Sequence, residues 1–379
     1  GELWESHFFD RVELMAVDHP AGTEVRIDER FHLPAPDQDV TPLTDLEPVA
    51  QAWDQDGRDV TGLVRAKDGR HLDTFAFGPF QGRAEAHFVE VDLGEALPAN
   101  GPLWLVADGW VYPTDTSINL AIGQSSYAPP QSVTVEVPDG DGGWTTAKSD
   151  IGFPAGKSKT MLIDLSEIVG PKGPHRVRLR TNMEIYWDRL AWAAGQPDTE
   201  IRTHRITADS ARLRDRGFSK VVQTERRRPT VPVYDSIATT TRLWRDLEGY
   251  HTRFGDVREL ITQTDDRYVI MNAGDEMALR FDAPPPPPDG WTRDFVLIGD
   301  GWVKDGDFNT GHSKTVRPLP YHGMEDYSTP PGPLEEDPAY RMHPEDWTTY
   351  HTRYVTPRNF HRALTVTGGS KDNTYPRSE

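Results

Sequence analysis

What most constrains this chain is how its apolar residues are dealt out. They come in short alternating runs, each closed within a few residues by Gly, Pro or Asp. Residues 11–17 alternate, Asp18-His-Pro-Ala-Gly22 turns the chain, and residues 23–28 alternate again. Residues 88–93, 103–107, 132–137, 160–165, 176–180 and 184–192 read as further strands. A period of two puts successive side chains on opposite faces of a strand, and turns at this spacing predict antiparallel sheets packed as sandwiches. Long helices have little room, because 32 Gly and 32 Pro break most windows of helical length.

The tetrapeptide Asp-Gly-Trp-Val occurs twice, at 108–111 and 300–303, each time after an apolar run. The surrounding stretches, 103–123 and 295–311, read as one β unit used twice. Tyr268-Val-Ile-Met271 likewise parallels Phe88-Val-Glu-Val91, and the prolines at 284–288 read as a polyproline II insertion. The chain is therefore expected to be mainly β. It should hold two β-sandwich domains, jelly-roll and galactose-binding-like in class, with long loops and an extended C-terminal tail. The first domain is placed at 1–198, a second β-rich domain at 199–327, and the tail at 328–379. The tail has many prolines and scattered aromatics, among them Tyr340, Trp347, Tyr350, Tyr354 and Phe360. With so little periodicity it is expected to wrap over a surface of this chain or of a neighbour.

The net charge of −19 argues against nucleic acid as a partner, because phosphate binding needs a basic face. The densest basic run, Arg226-Arg227-Arg228, reads as a solvated loop. No apolar run approaches the length of a membrane-spanning helix, so no insertion by this chain is expected. There is no cysteine, and hence no disulfide, thiolate metal site or cysteine nucleophile. The opening Gly1-Glu-Leu-Trp-Glu5 predicts a piece of a longer chain.

Asp305-Gly-Asp307-Phe-Asn309 spaces three oxygen ligands at alternate positions, as calcium loops do. Thr310 and Val316 stand where an EF-hand wants Gly and Glu, so the pattern is not an EF-hand. No cofactor is demanded by the sequence; the one it admits is a structural calcium ion on Asp305, Asp307 and Asn309. Asp54, Asp56 and Asp59 form a second acidic turn, and Asp139 and Asp141 read as a hairpin turn. Trp110, Tyr112, Tyr186, Trp187 and Trp302, with Asp115 and Asp188, are the candidate ligand-binding set. Rings of this kind can stack on sugars and paired carboxylates can serve glycoside hydrolysis, although their commoner use is core packing and turn formation. His312, His322, His343 and His351 lie near acidic residues, but no His-Glu-x-x-His or comparable spacing occurs, which argues against zinc. No Gly-x-Ser-x-Gly elbow, phosphate loop or dinucleotide fingerprint is present, and no residue is assigned a catalytic role.

Several segments carry a resemblance. They are Phe9-Asp-Arg-Val-Glu-Leu-Met-Ala-Val-Asp-His-Pro20, Gly57-Arg-Asp-Val60, Phe80-Gln-Gly82, Glu184-Ile-Tyr-Trp-Asp188 and Asp294-Phe-Val-Leu-Ile-Gly-Asp-Gly-Trp-Val303. Together they resemble the region downstream of the propeller in large exported bacterial proteins that combine FG-GAP repeats with an ASPIC/UnbV domain, the cartilage-acidic-protein-like proteins. The resemblance covers most of 1–325. It implies export and a role in surface binding or assembly, and it carries over no catalytic residue and none of the propeller's calcium loops. The expected function is a non-catalytic, extracytoplasmic binding or assembly module with protein partners, in the periplasm, at the cell surface or secreted. The alternatives are a carbohydrate-binding module with a polysaccharide ligand and, more weakly, a calcium-assisted glycoside-active enzyme.

Overall fold

The structure, a computed structural model, describes residues 4–98, 101–156, 158–170, 175–223, 230–239 and 246–356. The arginine run 226–228 and Phe360 lie outside the described residues. The chain is mainly β, with 44% strand against 8% helix, in antiparallel sheets. It divides into two compact units. One comprises 17–203 and 285–294; the other comprises 1–16, 204–284 and 295–379. The boundary expected at 198 thus falls beside the division at Thr203/His204. The first sixteen residues group with the later unit, and the proline-rich insertion with the earlier one.

The unit built on 17–203 is a β-sandwich. Its first sheet orders the strands Lys159–Asp164, Leu103–Val111, Ile185–Ala194 and Glu47–Pro48. Its second orders Gln51–Asp54, Arg83–Asp92, Arg176–Met183, Thr134–Pro138 and Trp144–Lys148. Leu105, Ala107, Met161, Ile163 and Leu190 from the first sheet share one core with Val89, Val91, Val135, Val177 and Leu179 from the second. Each such side chain, fully buried, contributes about 1.5–3 kcal/mol for the larger residues. The outer face of the first sheet is covered too: Val106, Leu162 and Ala193 pack with Leu43. The Leu103–Val111 strand is therefore buried on both faces, which explains why it reads as a continuous apolar run.

After that strand the stretch read as one β unit changes character. The Asp115 carboxylate accepts from the Ile118 amide at 2.7 Å and caps a helix, Thr116–Gly123. A carboxylate three residues ahead of an apolar segment thus turns the chain into helix where a β reading had been expected.

In the other unit the part of the long strand Glu5–Pro20 up to Ala16 is central. It pairs with Val269–Met271, in the register His7 to Met271 and Phe9 to Val269, and with Trp291–Asp305 and Arg202–Thr207. Val12, Leu213, Leu260, Val269 and Met271 form one core, and Phe8, Ile270, Leu247, Val316, Leu319 and Ala339 another. Neighbouring residues 269, 270 and 271 thus feed opposite sides of their sheet, as the strand period requires. The described part of the C-terminal stretch belongs to this unit. Leu334, Ala339 and Trp347 pack on its core, and Arg353–Val355 pairs with Gly249–His251. The surface it wraps is that of its own unit; residues 357–379 lie outside the described residues.

Candidate functional site

The same unit brings titratable groups from three distant segments together. Along Glu5–Pro20 the inward phase runs Ser6, Phe8, Asp10, Val12, so Asp10 occupies a position where the pattern wants an apolar residue. It is wholly buried. The antiparallel pairing with Val269–Met271 carries the preceding loop past Asp10. There the amides of Asp265 and Asp266 donate to its two carboxylate oxygens at 3.4 and 3.3 Å. Asp266 holds a left-handed backbone, φ 62°, which an aspartate tolerates better than most side chains and which fixes its carboxylate in place.

His322 completes the group. Its amide and its Nδ1 both reach Asp266 Oδ1, at 2.9 and 2.7 Å, and Nδ1 lies 3.6 Å from Asp10 Oδ2. On the other side of the ring, Nε2 lies 3.4 Å from Asp300 Oδ1, and Thr264 Oγ1 donates to Asp300 Oδ2 at 3.3 Å. Trp302 stands edge-on to the His322 ring, 4.7 Å between centroids. Beneath lies Tyr268, buried against Phe8 and Trp302. The ligand atoms of Asp10, Asp266 and His322 all lie within 4.8 Å of one another. The cluster is dry at Asp10 and open at His322, whose side chain is 42% exposed.

Electrostatics follow from this geometry. Burial pushes the Asp10 carboxyl up to about 6, aided by the charges of Asp265 and Asp266 and opposed by the two amides. Burial alone would lower His322, but the hydrogen bond it donates to Asp266 and the charges of Asp300, Asp266 and Asp10 outweigh it, so its pKa is raised. Burial, with the carboxylates of Asp337, Asp266 and Asp10, drives the Tyr268 hydroxyl well above its ordinary value.

No protein-family model, curated protein or solved structure matches this chain. What the site can do must therefore be read from its own residues.

Of the residues singled out in the sequence, Trp302 joins this cluster from the candidate ligand-binding set, His322 from the four histidines and Asp300 from the second Asp-Gly-Trp-Val. Trp187 sits in the sandwich core, and Tyr186 is buried with its ring stacked on Trp110, 4.6 Å apart at 15°. Tyr112 and Trp110 pack on the same small cluster as Phe75. Asp188 accepts the amides of Asp68 and Gly69, both at 3.1 Å, and Asp115 caps its helix. Asp305 and Asp307 accept the amides of Asp307 and Asn309 at 3.0 and 2.8 Å, which makes two consecutive Asx turns. Asp54 and Asp139 close turns in the same way. Asp10 and Asp266 were missed because the segments that carry them are far apart in the chain. The one local signal was a carboxylate in the apolar phase of the first strand.

A second concavity of about 360 Å³ lies in the same unit, between Glu248, Tyr250, Val316, Arg317, Trp347 and Tyr354. Tyr250 and Tyr354 face each other across a strand pair with rings at 4.9 Å and 80°, and the Tyr354 hydroxyl donates to Glu248 at 3.0 Å.

Proposed function

We propose that this chain is a non-catalytic binding or assembly module, working outside the cytoplasm within a larger surface or periplasmic complex. One observation carries the reading. The strands Ser219–Gln223 and Thr230–Ile237 form a ribbon that pairs with no third strand among the described residues. Its Val222, Val231, Val233, Tyr234 and Ile237 are 38–61% exposed. A two-stranded ribbon is marginally stable in water, and apolar side chains exposed along it mark a place where another protein docks. The extracytoplasmic setting rests on the resemblance to exported bacterial proteins. The net charge of −19 suits a module that repels copies of itself.

The test is a photo-crosslinking residue at position 233 in the protein expressed in its own cells, with exposed Asn119 as the control position. A discrete protein adduct is expected from position 233, none from 119, and loss of the adduct in Tyr234→Asp. No adduct from 233, or the same products from both positions, would contradict the reading.

The concavity at Tyr250, Trp347 and Tyr354 favours a second reading, carbohydrate binding, since aromatic walls with Glu248 and Arg317 at the rim suit a sugar ring. Binding on a polysaccharide panel that disappears in Tyr354→Ala would support it; no binding to any member would remove it.

A further inference from the structure

We infer that Asp10, Asp266 and His322 form the site of one divalent transition-metal ion of the zinc or manganese class. The inference is independent of the assembly reading and concerns a different part of the unit.

Three observations meet here. The first is spacing. His322 Nδ1 lies 2.7 Å from Asp266 Oδ1 and 3.6 Å from Asp10 Oδ2. Ligands around an ion with bonds of about 2.0–2.2 Å stand roughly 3 Å apart along an octahedral edge, so small shifts seat an ion among these atoms. The second is the orientation of the imidazole. Nδ1 faces the two carboxylates, and Nε2 faces the Asp300 carboxylate at 3.4 Å, itself held by Thr264. A metal-bound histidine characteristically gives its far N–H to a carboxylate, which fixes the tautomer that leaves the near nitrogen free to ligate. The third is Tyr268. It is wholly buried against Phe8 and against Trp302, the ring that meets His322, and its hydroxyl has no hydrogen-bond partner among the described residues. An unpaired hydroxyl at that depth costs about 1–3 kcal/mol, which a water carried by a bound ion would offset.

Charge points the same way. Asp10, Asp266 and Asp300 face a single imidazole. The nearby Arg267 is engaged by Asp346 and Glu259, with Nη2 and Nη1 at 2.7 and 2.8 Å. Even a protonated His322 leaves the group negative. A divalent ion neutralises it and displaces the Nδ1 proton to solvent. The donor set, two carboxylates and one imidazole, suits zinc or manganese better than calcium, which prefers oxygen alone. The open side at His322 gives the ion a way in.

The experiment is calorimetric titration of the whole chain, freed of metal by a chelator, with ZnCl2, MnCl2 and CaCl2 in turn. One equivalent of zinc or manganese is expected to bind saturably, with calcium weaker. His322→Ala and Asp10→Asn should abolish binding. Asp300→Asn, at a half-exposed position that leaves the core intact, should weaken it about 10–100-fold. Far-ultraviolet dichroism establishes that each variant is folded, and Asp300→Asn decides the matter if the buried substitution unfolds the unit. The inference is overturned by any of three results. These are no saturable uptake of either transition metal by the wild-type chain, unchanged affinity in Asp300→Asn, or uptake that survives His322→Ala and is lost in Asp305→Asn.

Discussion

Arg189 places Nε and Nη2 at 2.8 and 2.7 Å from a single oxygen of the buried Asp108, across two hydrogen-bonded strands of the sandwich. Burial alone would raise the Asp108 carboxyl; the Thr160 hydroxyl and the Arg189 and Lys67 cations outweigh it and hold it below the usual carboxylate range. Removing one partner strands the other in a dry sheet. Asp108→Asn is expected to cost about 3–5 kcal/mol, read as a lower urea midpoint. Asp108→Leu combined with Arg189→Met should cost less than the sum of the two single changes.

The other copy of the tetrapeptide makes a steric prediction. A Cβ on Gly301 would stand 1.9 Å from the Phe8 carbonyl oxygen, and one on Gly109 would stand 2.8 Å from the Trp187 ring. The glycine in each Asp-Gly-Trp-Val is there because another strand's backbone or an indole crosses it. Gly301→Ala must push the Glu5–Pro20 strand away, whereas Gly299, with open space around it, should accept alanine with little loss. Thermal midpoints of the two variants should differ by many degrees.

His87 sets an acid limit. Its ring packs on Phe75 at 4.7 Å and its Nδ1–H donates to the Glu85 carbonyl at 2.8 Å. Burial pushes its pKa down to about 4. The folded state therefore refuses a proton that the unfolded state accepts below about 6.5. Stability should be full above that pH, fall as the pH drops from about 6.5 to about 4, and stop responding to this group below that. The contribution reaches about 3 kcal/mol. His87→Phe should flatten the acid limb of a stability-against-pH curve by that amount; an unchanged limb would mean that the ring is reached by water.

The C-terminal stretch should prove structural up to residue 356. Arg267 grips Asp346 through Nε at 3.0 Å and Nη2 at 2.7 Å, and Trp347 covers the core around Phe8. Trp347→Ala is expected to cost about 3–5 kcal/mol, and truncation at 327 to leave the unit unfolded by dichroism.

Much of the sandwich was legible because its strands carry their own signal. The runs at 88–93, 132–137, 160–165 and 176–180 alternate or cluster apolar residues, and each lies within or on a strand. Residues 256–261 were harder, being split between a two-residue strand and a 3-10 turn, with burial rather than period deciding their packing. The candidate site was mostly illegible. Asp108 and Asp300 stand in identical tetrapeptides, yet one is locked to Arg189 and the other faces His322. The difference lies in what other strands bring up beside them. Asp10, Asp266 and His322 meet only because the first strand pairs with Val269–Met271 and the 320s loop folds over that edge. No spacing rule joins such positions.

In the proposed function the exposed ribbon holds this chain in an assembly. The direct measurement is native mass analysis of extracts from its own cells, comparing the wild type with a Tyr234→Asp, Ile237→Asp variant that dichroism shows to be folded. The wild-type chain is expected to run in a particle well above its own mass, and the variant to run alone. Both running alone, or both in the same particle, would contradict the proposal.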